Sequence, residues 1–357
     1  MALVNGAAPA TPFATTVLPT LPVTDVGDRK IEGAGTSEAA WWADSTLLAL
    51  PSLNMDDLLS STARLVVVAP HPDDEVLGCG GLLSIAAQNA AARALATARD
   101  STSFSATASP SATASPSVSA TASASATASA SATASAPRSS HRATSFSSVS
   151  ASRFWGTADT MGGPADVPET DRQPLLIGVT DGEGSHPDST RWTPMELVRQ
   201  RACERARGLT ALGSGVSLRL LRLPDGQVAQ REAELVQKLS SLLRPDDLVV
   251  TTWRLDGHPD HEACGRACAV LAQRMGFRLL EMPVWMWHWA SPGDPRVPWH
   301  RLMQLPLPEA VRQRKQAALQ AHRSQIEPDD ERPSVLPPTA TERVLRPSEF
   351  FFREDTA

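Results

Sequence analysis

Two clusters of imidazole and carboxylate side chains are the residues of this sequence best suited to chemistry. The first is HPDDE at 71–75 and the second is DGHPDH at 256–261. Two imidazoles and a carboxylate suit a borderline metal such as zinc, and three protein ligands leave one position open. A metal there would lower the pKa of a water molecule toward ~7. The spare carboxylates and imidazole could then move protons or stabilise an oxyanion, which favours a hydrolase.

The same residues have a simpler interpretation as caps and turns. Asp73 or Asp74 could cap a helix, and His-Pro-Asp is a sequence that suits turns. Either cluster alone leaves this alternative open. Two such clusters at equivalent ends of one sheet favour a functional site.

The elements around the clusters predict where they lie. Residues 65–69 (LVVVA) are typical of a buried parallel strand, and a helix is predicted over 76–88 after a glycine-rich stretch. Further strands alternate with helices, which predicts an α/β fold with an open, mostly parallel sheet of the Rossmann-like kind and helices on both faces. Right-handed crossovers then bring all the strand ends to one edge. We predict these strands at 174–180, 216–222, 247–253 and 278–285, and helices at 37–50, 193–213, 230–243, 262–275 and 308–322.

A long low-complexity segment interrupts this pattern. From Ser101 to Ala136 the chain is almost wholly Ser, Ala, Thr and Pro. It has no hydrophobic periodicity, so we predict disorder, extending to about residue 167. The predicted organisation is a partly disordered N-terminal extension at 1–60 and a single domain at 61–357, interrupted by the insert at 101–167. Long insertions in surface loops cost little stability.

Composition restricts the partners. The 357 residues are 41% hydrophobic, so a large core is possible, and the net charge of −6 argues against nucleic acid as the main partner. No run is long enough for a membrane span. Four cysteines fit no secreted disulfide pattern, and for Cys264 and Cys268 burial on one helix face is favoured over metal binding. We expect a cytoplasmic protein, and the sequence leaves its oligomeric state open.

The motifs together resemble the PIG-L/LmbE-like family of zinc-dependent N-acetylglucosaminide deacetylases. The family usually shows Ala-His-Pro-Asp-Asp-Glu, whereas here Pro70 separates the alanine from the histidine. The resemblance covers about residues 64–100 and 172–327, and neither the insert nor the N-terminal 60 residues belongs to it. The motifs that carry it are APHPDDE at 69–75, TDGE at 180–183, RxxE at 201–204, LG at 212–213, LPDG at 223–226, HPDH at 258–261, PVW at 283–285 and HxSQ at 322–325.

This resemblance implies roles for six residues. His71, Asp74 and His261 would bind one zinc ion per chain, with ferrous iron as an alternative. Asp73 would be the general base, and His258 would stabilise the oxyanion or protonate the leaving amine. Asp260 would orient His258 or tune its pKa.

The resemblance also implies a substrate, a small-molecule amino-sugar conjugate that loses acetate from its N-acetyl amide. Two other functions remain open. One is an amidase that removes a larger acyl group, and the other is a carbohydrate-binding protein without activity on the same fold.

Other polar residues near the predicted strand ends have two interpretations each. His186 belongs to a third His-Pro-Asp, for which a turn is favoured over a substrate contact. Asp181 and Glu183 would position substrate hydroxyls or cap a loop. For Arg201, pairing with Glu204 on a helix surface is slightly favoured over a place in the site.

Two further patterns lie later in the chain. Trp285, Trp287 and Trp289 alternate, which predicts an extended segment packed on the core rather than a surface for stacking sugars. His322, Ser324 and Gln325 end a helix or support the site. The three glycines at 78–81 lack the order of a nucleotide-binding loop.

Overall fold

The fold is built on a seven-stranded sheet whose central strands are buried. The computed structural model describes residues 27–60, 64–104, 172–213, 215–330 and 332–353. The strand order is β3-β2-β1-β4-β5-β7-β6. The first five positions are parallel, and β7 is antiparallel to both of its neighbours. The strands are β1 Arg64–Ala69, β2 Leu175–Gly178, β3 Ser217–Leu220, β4 Asp247–Thr252, β5 Arg278–Met282, β6 Leu302–Pro306 and β7 Ser348–Arg353.

Helices cover both faces of this sheet. Along β1, Leu65 and Val67 point into one core, which includes Leu82 of the first long helix, whereas Val66 and Val68 point into the opposite core. This alternation follows from the two-residue period of a strand. The predicted fold class is confirmed. The helices are α1 Glu38–Ala43, α2 Met55–Ser60, α3 Asp74–Phe104, α4 Pro194–Leu212, α5 Glu232–Ser240, α6 Pro259–Met275, α7 Met286–Trp289, α8 Glu309–Gln320, α9 Arg323–Ile326 and α10 Pro338–Val344, with 3-10 turns at Ala229–Arg231 and Trp299–Arg301.

Some predicted elements differ from the observed ones. The segment around Trp287 is the one-turn helix α7, so the prediction of an extended segment is wrong, although Trp287 does pack in the core, edge-to-face on Trp41. The helix predicted at 37–50 is helical only over Glu38–Ala43, where the Ser37 side chain caps it. The antiparallel strands β6 and β7 were not predicted.

The kink inside α3 explains the glycine-rich stretch. Cys79 has non-helical angles, φ −145° and ψ 24°, so a second helical segment begins after it. The backbone N–H groups of Gly81 and Leu82 donate to the buried Glu349 carboxylate of β7 at 2.7 and 2.9 Å. A Cβ at Gly81 would lie 2.6 Å from Leu307, so the close packing there requires glycine. The glycines allow this close packing. This agrees with the sequence analysis, in which they lack the order of a nucleotide-binding loop.

The chain divides into two compact units. The first comprises Met1–Ala92 with Gly162–Ala357, and the second is Arg93–Met161. The described residues of the second unit, 93–104, are the last part of α3. Most of the predicted insert, like residues 1–26, lies outside the described residues. In the parts of the chain that the structure describes, no helix is long and apolar enough to cross a membrane.

Candidate metal centre

The two clusters meet at the carboxyl edge of the sheet. Strands β1 and β4 are parallel neighbours, with Val68 opposite Thr251, so the loops that follow them lie side by side. The His71 ring lies 4.8 Å from the His258 ring and 5.2 Å from the His261 ring, measured between centroids. The predicted meeting of the two motifs is therefore present in the structure.

Three of these side chains converge on one another in pairs. His71 Nδ1 lies 3.2 Å from His261 Nε2 and 3.2 Å from Asp74 Oδ2, while His261 Nε2 lies 3.3 Å from Asp74 Oδ1. Ligand atoms held about 2.0–2.1 Å from a tetrahedral metal are about 3.4 Å apart. The three distances are therefore close to those between zinc ligands, with Asp74 contacting each imidazole through a different oxygen.

Carboxylates behind the two imidazoles decide which ring nitrogen faces the centre. Asp256 Oδ2 lies 2.8 Å from His261 Nδ1, and its carboxylate also accepts hydrogen bonds from the N–H groups of residues 284–286. Asp225 and Asp260 contact His71 Nε2 at 3.1 and 3.4 Å. One nitrogen of each imidazole thus contacts these carboxylates, and the other nitrogen faces the centre. This arrangement is typical of metal sites.

The electrostatics of the centre favour a cation. Burial alone would lower the pKa of both imidazoles, but the surrounding carboxylates reverse this effect. The pKa of His71 is raised well above its usual range by Asp225, Asp260 and Asp74. The pKa of His261 is raised to about 9, with burial opposing Asp74 and Asp256. A centre that retains protons this strongly has the charge to hold a metal ion in their place.

Geometry alone admits more than one set of three ligands. Within the described residues, two groups have ligand atoms that all lie within 4.8 Å of one another. One joins His71 and His261 with His258, and the other joins His71 with Asp225 and Asp260. His71 is a member of both, and Asp74, whose contacts are described above, is a member of neither.

Asp73 lies beside the converging set and contacts Arg201. The carboxylate is 5% exposed, and Arg201 Nη2 lies 3.2 Å from its Oδ2. Burial raises the pKa of Asp73, while the Arg201 charge lowers it and that of Asp74 raises it. Arg201 is itself buried and also donates to the carbonyls of Gly182 and Pro72. The preference for a surface pair with Glu204 is therefore wrong, because Arg201 belongs to the site.

His258 is the N-cap of α6, and this fixes its tautomer. Its Nδ1 accepts a hydrogen bond from the Asp260 backbone N–H at 3.2 Å. Burial, followed by the neighbouring His71 and His261 charges, lowers the pKa of His258 to about 3. The ring is therefore neutral at pH 7, and its proton lies on Nε2.

The carboxylate of Asp260 contacts His71, and its charge acts on the pKa of His258, which is one of the two predicted effects. Its carboxylate accepts hydrogen bonds from the N–H groups of Gly226 and Val228 at 2.8 and 3.0 Å, and it contacts His71. Toward His258 it acts through charge, which raises the pKa of that ring against the larger effect of burial. Its carboxylate therefore orients His71 rather than His258.

Other predicted residues have supporting places. Glu183 accepts a hydrogen bond from the Asp225 N–H at 3.0 Å, so it fixes the loop that carries Asp225. His186 lies in a turn, as predicted, where its carbonyl accepts from Ser189. Ser324 donates to the buried Glu204, and Gln325 lines the cavity, which confirms the supporting interpretation of that motif. Cys264 and Cys268 lie in the core, as expected.

Asp225, like Asp256, contacts an imidazole of the centre and has no role assigned from the sequence. It follows β3 in an LPDG motif, which was noted without a role. The signal was its place after a strand that joins the same sheet edge. The strand order, which the sequence does not give, is what brings it to His71.

A cavity of about 370 Å³ opens over the centre. Polar residues of the centre form much of its lining, and its apolar lining comes from four separate parts of the chain. The residues are Ile31, His71, Asp73, Asp74, Leu77, Gly184, Ser185, Arg201, Asp225, Gly226, His258, His261, Trp285, Gln325, Val335 and Leu336. This volume accommodates a sugar-sized ligand.

A family model agrees with the resemblance inferred from the motifs. Residues 166–272 match the family described as PIG-L: GlcNAc-PI de-N-acetylase. The matched part includes His258 and His261, whereas the first cluster at 71–75 lies before it. The resemblance to the PIG-L/LmbE-like family is therefore confirmed. None of the curated proteins compared with the chain matches it.

Several solved structures are similar to this chain at low identity. The N,N'-diacetylchitobiose deacetylase from Pyrococcus horikoshii, complexed with its inhibitor MPG, is 15% identical, with 84% of this chain and 83% of that chain covered and a TM-score of 0.43. The A40926 pseudoaglycone deacetylase Dbv21 is 16% identical, with 82% and 97% covered and a TM-score of 0.46. A deacetylase of teicoplanin biosynthesis, complexed with bog, is 16% identical, with 82% and 100% covered and a TM-score of 0.46.

Proposed function

We propose that this chain is a zinc-dependent hydrolase that removes the N-acetyl group from an N-acetylglucosamine-type conjugate, releasing acetate and a free amino sugar. The observation that carries the proposal is the convergence of His71, Asp74 and His261 within 3.3 Å of one another, with the buried Asp73 beside them. The family match over residues 166–272 supports an acetamide as the bond that is cleaved.

His71, Asp74 and His261 are the residues that would hold the zinc ion. We prefer Asp74 to His258 as the third ligand, because its two oxygens contact one imidazole each, and His258 then remains free for the substrate. Bound there, zinc would polarise the amide carbonyl and lower the pKa of a water molecule. Asp225, Asp256 and Asp260 hold the two imidazoles in the required orientation.

Asp73 moves the proton. It takes a proton from the attacking water, whose oxygen forms the new bond to the carbonyl carbon, and it returns that proton to the amide nitrogen as the C–N bond breaks. Burial raises the pKa of Asp73 and so makes the carboxylate a stronger base. Arg201, 3.2 Å away, keeps it oriented.

His258 stabilises the oxyanion. Because the ring is neutral with its proton on Nε2, it can donate a hydrogen bond to the negative oxygen of the tetrahedral intermediate. A pKa of about 3 does not suit protonation of the leaving amine at pH 7. Of its two predicted roles, we therefore propose the oxyanion role.

The cytoplasmic location also remains a proposal. It is supported by the four cysteines, all of which are free thiols in the structure. Buried thiols such as Cys79 and Cys264, whose pKa values burial raises well above the usual range, are inert packing residues.

The substitution Asp73→Asn tests the proposed chemistry. It keeps the shape of the side chain but removes the base, so we expect bound zinc to stay at one ion per chain while acetate release falls 10²–10⁴-fold. The matched control is Asp188→Asn, in the third His-Pro-Asp, which should keep full activity. Equal rates for Asp73→Asn and the unaltered chain would exclude Asp73 as the base.

A further inference from the structure

A segment of the N-terminal extension forms part of the catalytic cavity. Residues 27–36, here called the strap, precede α1 and lie outside the region that resembles the family. Ile31 of the strap lines the same cavity as His71, His258 and His261. An apolar side chain from a remote part of the chain therefore faces the proposed reaction centre.

The strap is fixed to α6 beside the centre by Arg29. Its guanidinium donates three hydrogen bonds of 2.9–3.1 Å to the carboxylate of Glu262, the residue after His261. Glu262 also accepts a hydrogen bond from the Gly257 N–H at 3.0 Å. One carboxylate thus joins the strap to the loop that carries His258. This is a bidentate pair of the kind that gives geometric specificity.

The loop at Gly257 is shaped to receive the strap. Gly257 has φ +96°, and a Cβ there would lie 2.7 Å from the Arg29 carbonyl oxygen and 2.9 Å from Trp289. Any larger residue would both strain the loop and displace the strap. The close approach of the two segments is therefore a built feature.

The other end of the strap is held at α7. The Thr36 N–H donates to the His288 carbonyl at 2.9 Å, and the Thr36 hydroxyl donates to the Ala290 carbonyl. His288 Nε2 lies 3.3 Å from the Glu32 carbonyl oxygen. Contacts before and after Ile31 thus leave little freedom in where that side chain lies.

The apolar residues that line the cavity indicate which kind of ligand Ile31 would contact. Leu77, Trp285, Val335 and Leu336 line the cavity together with Ile31, in addition to the polar residues of the candidate centre. A free N-acetylated sugar can stack one apolar face on Trp285, but it has no large apolar group to bury against the other four side chains. Their presence indicates a ligand that carries one.

We propose that the strap is a specificity determinant, in which Ile31 contacts an apolar group attached to the amide-bearing substrate. This inference rests on the proposed function. The apolar group could be the aglycone of the sugar or the acyl chain of the amide, and the two sources need separate substrates to be told apart.

The experiment compares three substrates across four forms of the full chain. The substrates are N-acetylglucosamine, its phenyl glycoside and N-octanoylglucosamine. The forms are the unaltered chain, Ile31→Ala, Arg29→Ala and the control Lys30→Ala, whose residue is exposed and adjacent. We expect Ile31→Ala and Arg29→Ala to lose five- to tenfold in kcat/KM on an apolar substrate relative to N-acetylglucosamine, while Lys30→Ala keeps the ratio. Loss on the phenyl glycoside identifies the aglycone, and loss on the octanoyl amide identifies the acyl chain.

Binding separates this proposal from the proposed function. If no substrate is hydrolysed, calorimetric titration of the phenyl glycoside and the octanoyl amide into the same forms still tests the strap. Weaker binding by Ile31→Ala and Arg29→Ala, but not by Lys30→Ala, would support it without any hydrolysis. Substrate ratios unchanged in both strap variants, or no binding of either apolar ligand where hydrolysis is also absent, would overturn it.

Discussion

At the scale of single residues, the carboxylates behind the imidazoles determine what the centre can bind. Asp256 is fully buried, and it turns the free nitrogen of His261 toward His71 and Asp74. Asp225 and Asp260 contact Nε2 of His71, so its Nδ1 faces His261 and Asp74. The three converging groups are all electron-pair donors, so a proton or a metal ion must lie between them.

We predict that Asp256→Asn weakens zinc binding 10–100-fold, because an amide holds the His261 tautomer less firmly than a carboxylate does. Competition with a fluorescent zinc chelator measures the change. Asp188→Asn serves as the control, and thermal unfolding of both variants shows whether the loop at 284–286 has stayed in place. Unchanged zinc affinity in a folded Asp256→Asn variant would contradict the assigned ligand His261.

The sequence predicted the residues of the centre better than their contacts. Five of the six predicted residues line the cavity, and the sixth, Asp260, contacts His71. Each of them follows a strand or begins a helix at the same edge of the sheet. The six are His71, Asp73, Asp74, His258, Asp260 and His261. The partners of Arg201 and Asp260 were missed because they come from other loops. Side-chain direction across loops depends on the strand order, which no local pattern contains.

His322 makes stability depend on pH. The ring is fully buried, and burial, with the charge of Arg201, lowers its pKa to about 4 from an ordinary 6.5. The unfolded chain therefore binds this proton more readily than the folded chain. The stability gained from keeping the ring neutral is complete above pH 6.5 and is lost as pH falls toward 4.

The unfolding free energy of the unaltered chain should fall between pH 7 and pH 4. We predict that this fall is smaller by about 3 kcal/mol in His322→Gln. Urea unfolding at a series of pH values for both proteins measures it. The comparison cancels the titration of the carboxylates that the two proteins share. Parallel pH profiles would show that His322 keeps an ordinary pKa in the folded chain.

At the scale of elements, β7 fixes the helix that presents Asp74. The kink at Cys79 frees backbone N–H groups, and the Glu349 carboxylate accepts two of them while pairing with the buried Lys315 of α8 at 2.6 Å. One buried carboxylate therefore joins α3, α8 and β7. A pair of this kind is costly to break from one side only.

We predict that Glu349→Gln lowers the unfolding free energy by about 3–5 kcal/mol, since it leaves Lys315 buried without an opposite charge. Adding Lys315→Met should restore most of the loss. The control is Glu309→Gln, whose exposed pair with Arg312 is worth at most about 1 kcal/mol. Chemical unfolding of the four proteins gives the values, and equal small losses for Glu349→Gln and Glu309→Gln would contradict this view of β7.

Periodicity predicted the long elements and failed on the short ones. Helix α4 agrees within a residue at each end, because its capping box of Thr193 and Glu196 and its first-turn Pro194 are readable signals. Helix α7 has only four residues, so its alternating tryptophans fit a strand equally well. Helix α6 begins at Pro259, three residues before the predicted start, and this places His258 at its N-cap.

At the scale of the whole molecule, the core clusters of the described residues draw on parts of the chain both before and after the Ser/Ala/Thr segment. Strands β1 and β2 are paired in register although more than 100 positions separate them in sequence, with Val66 opposite Leu175. Closing a longer loop costs only a logarithmic amount of free energy. The sheet therefore does not depend on the length of the connection.

We predict that deletion of residues 101–150 leaves the melting temperature within a few degrees of the full chain and keeps kcat/KM within about twofold. Calorimetry and acetate release on the same preparations measure both. A melting transition that collapses on deletion would assign a structural role to the segment.

The most direct test of the proposed function is whether amide hydrolysis depends on a metal ion bound at this centre. Acetate release from a panel of N-acetylglucosaminides should stop on chelation and return on addition of one equivalent of zinc. The same treatment should leave His261→Ala inactive throughout, because that variant lacks a ligand. Full activity after complete removal of metal, or zinc-restored activity equal to that of the unaltered chain in His261→Ala, would contradict the account.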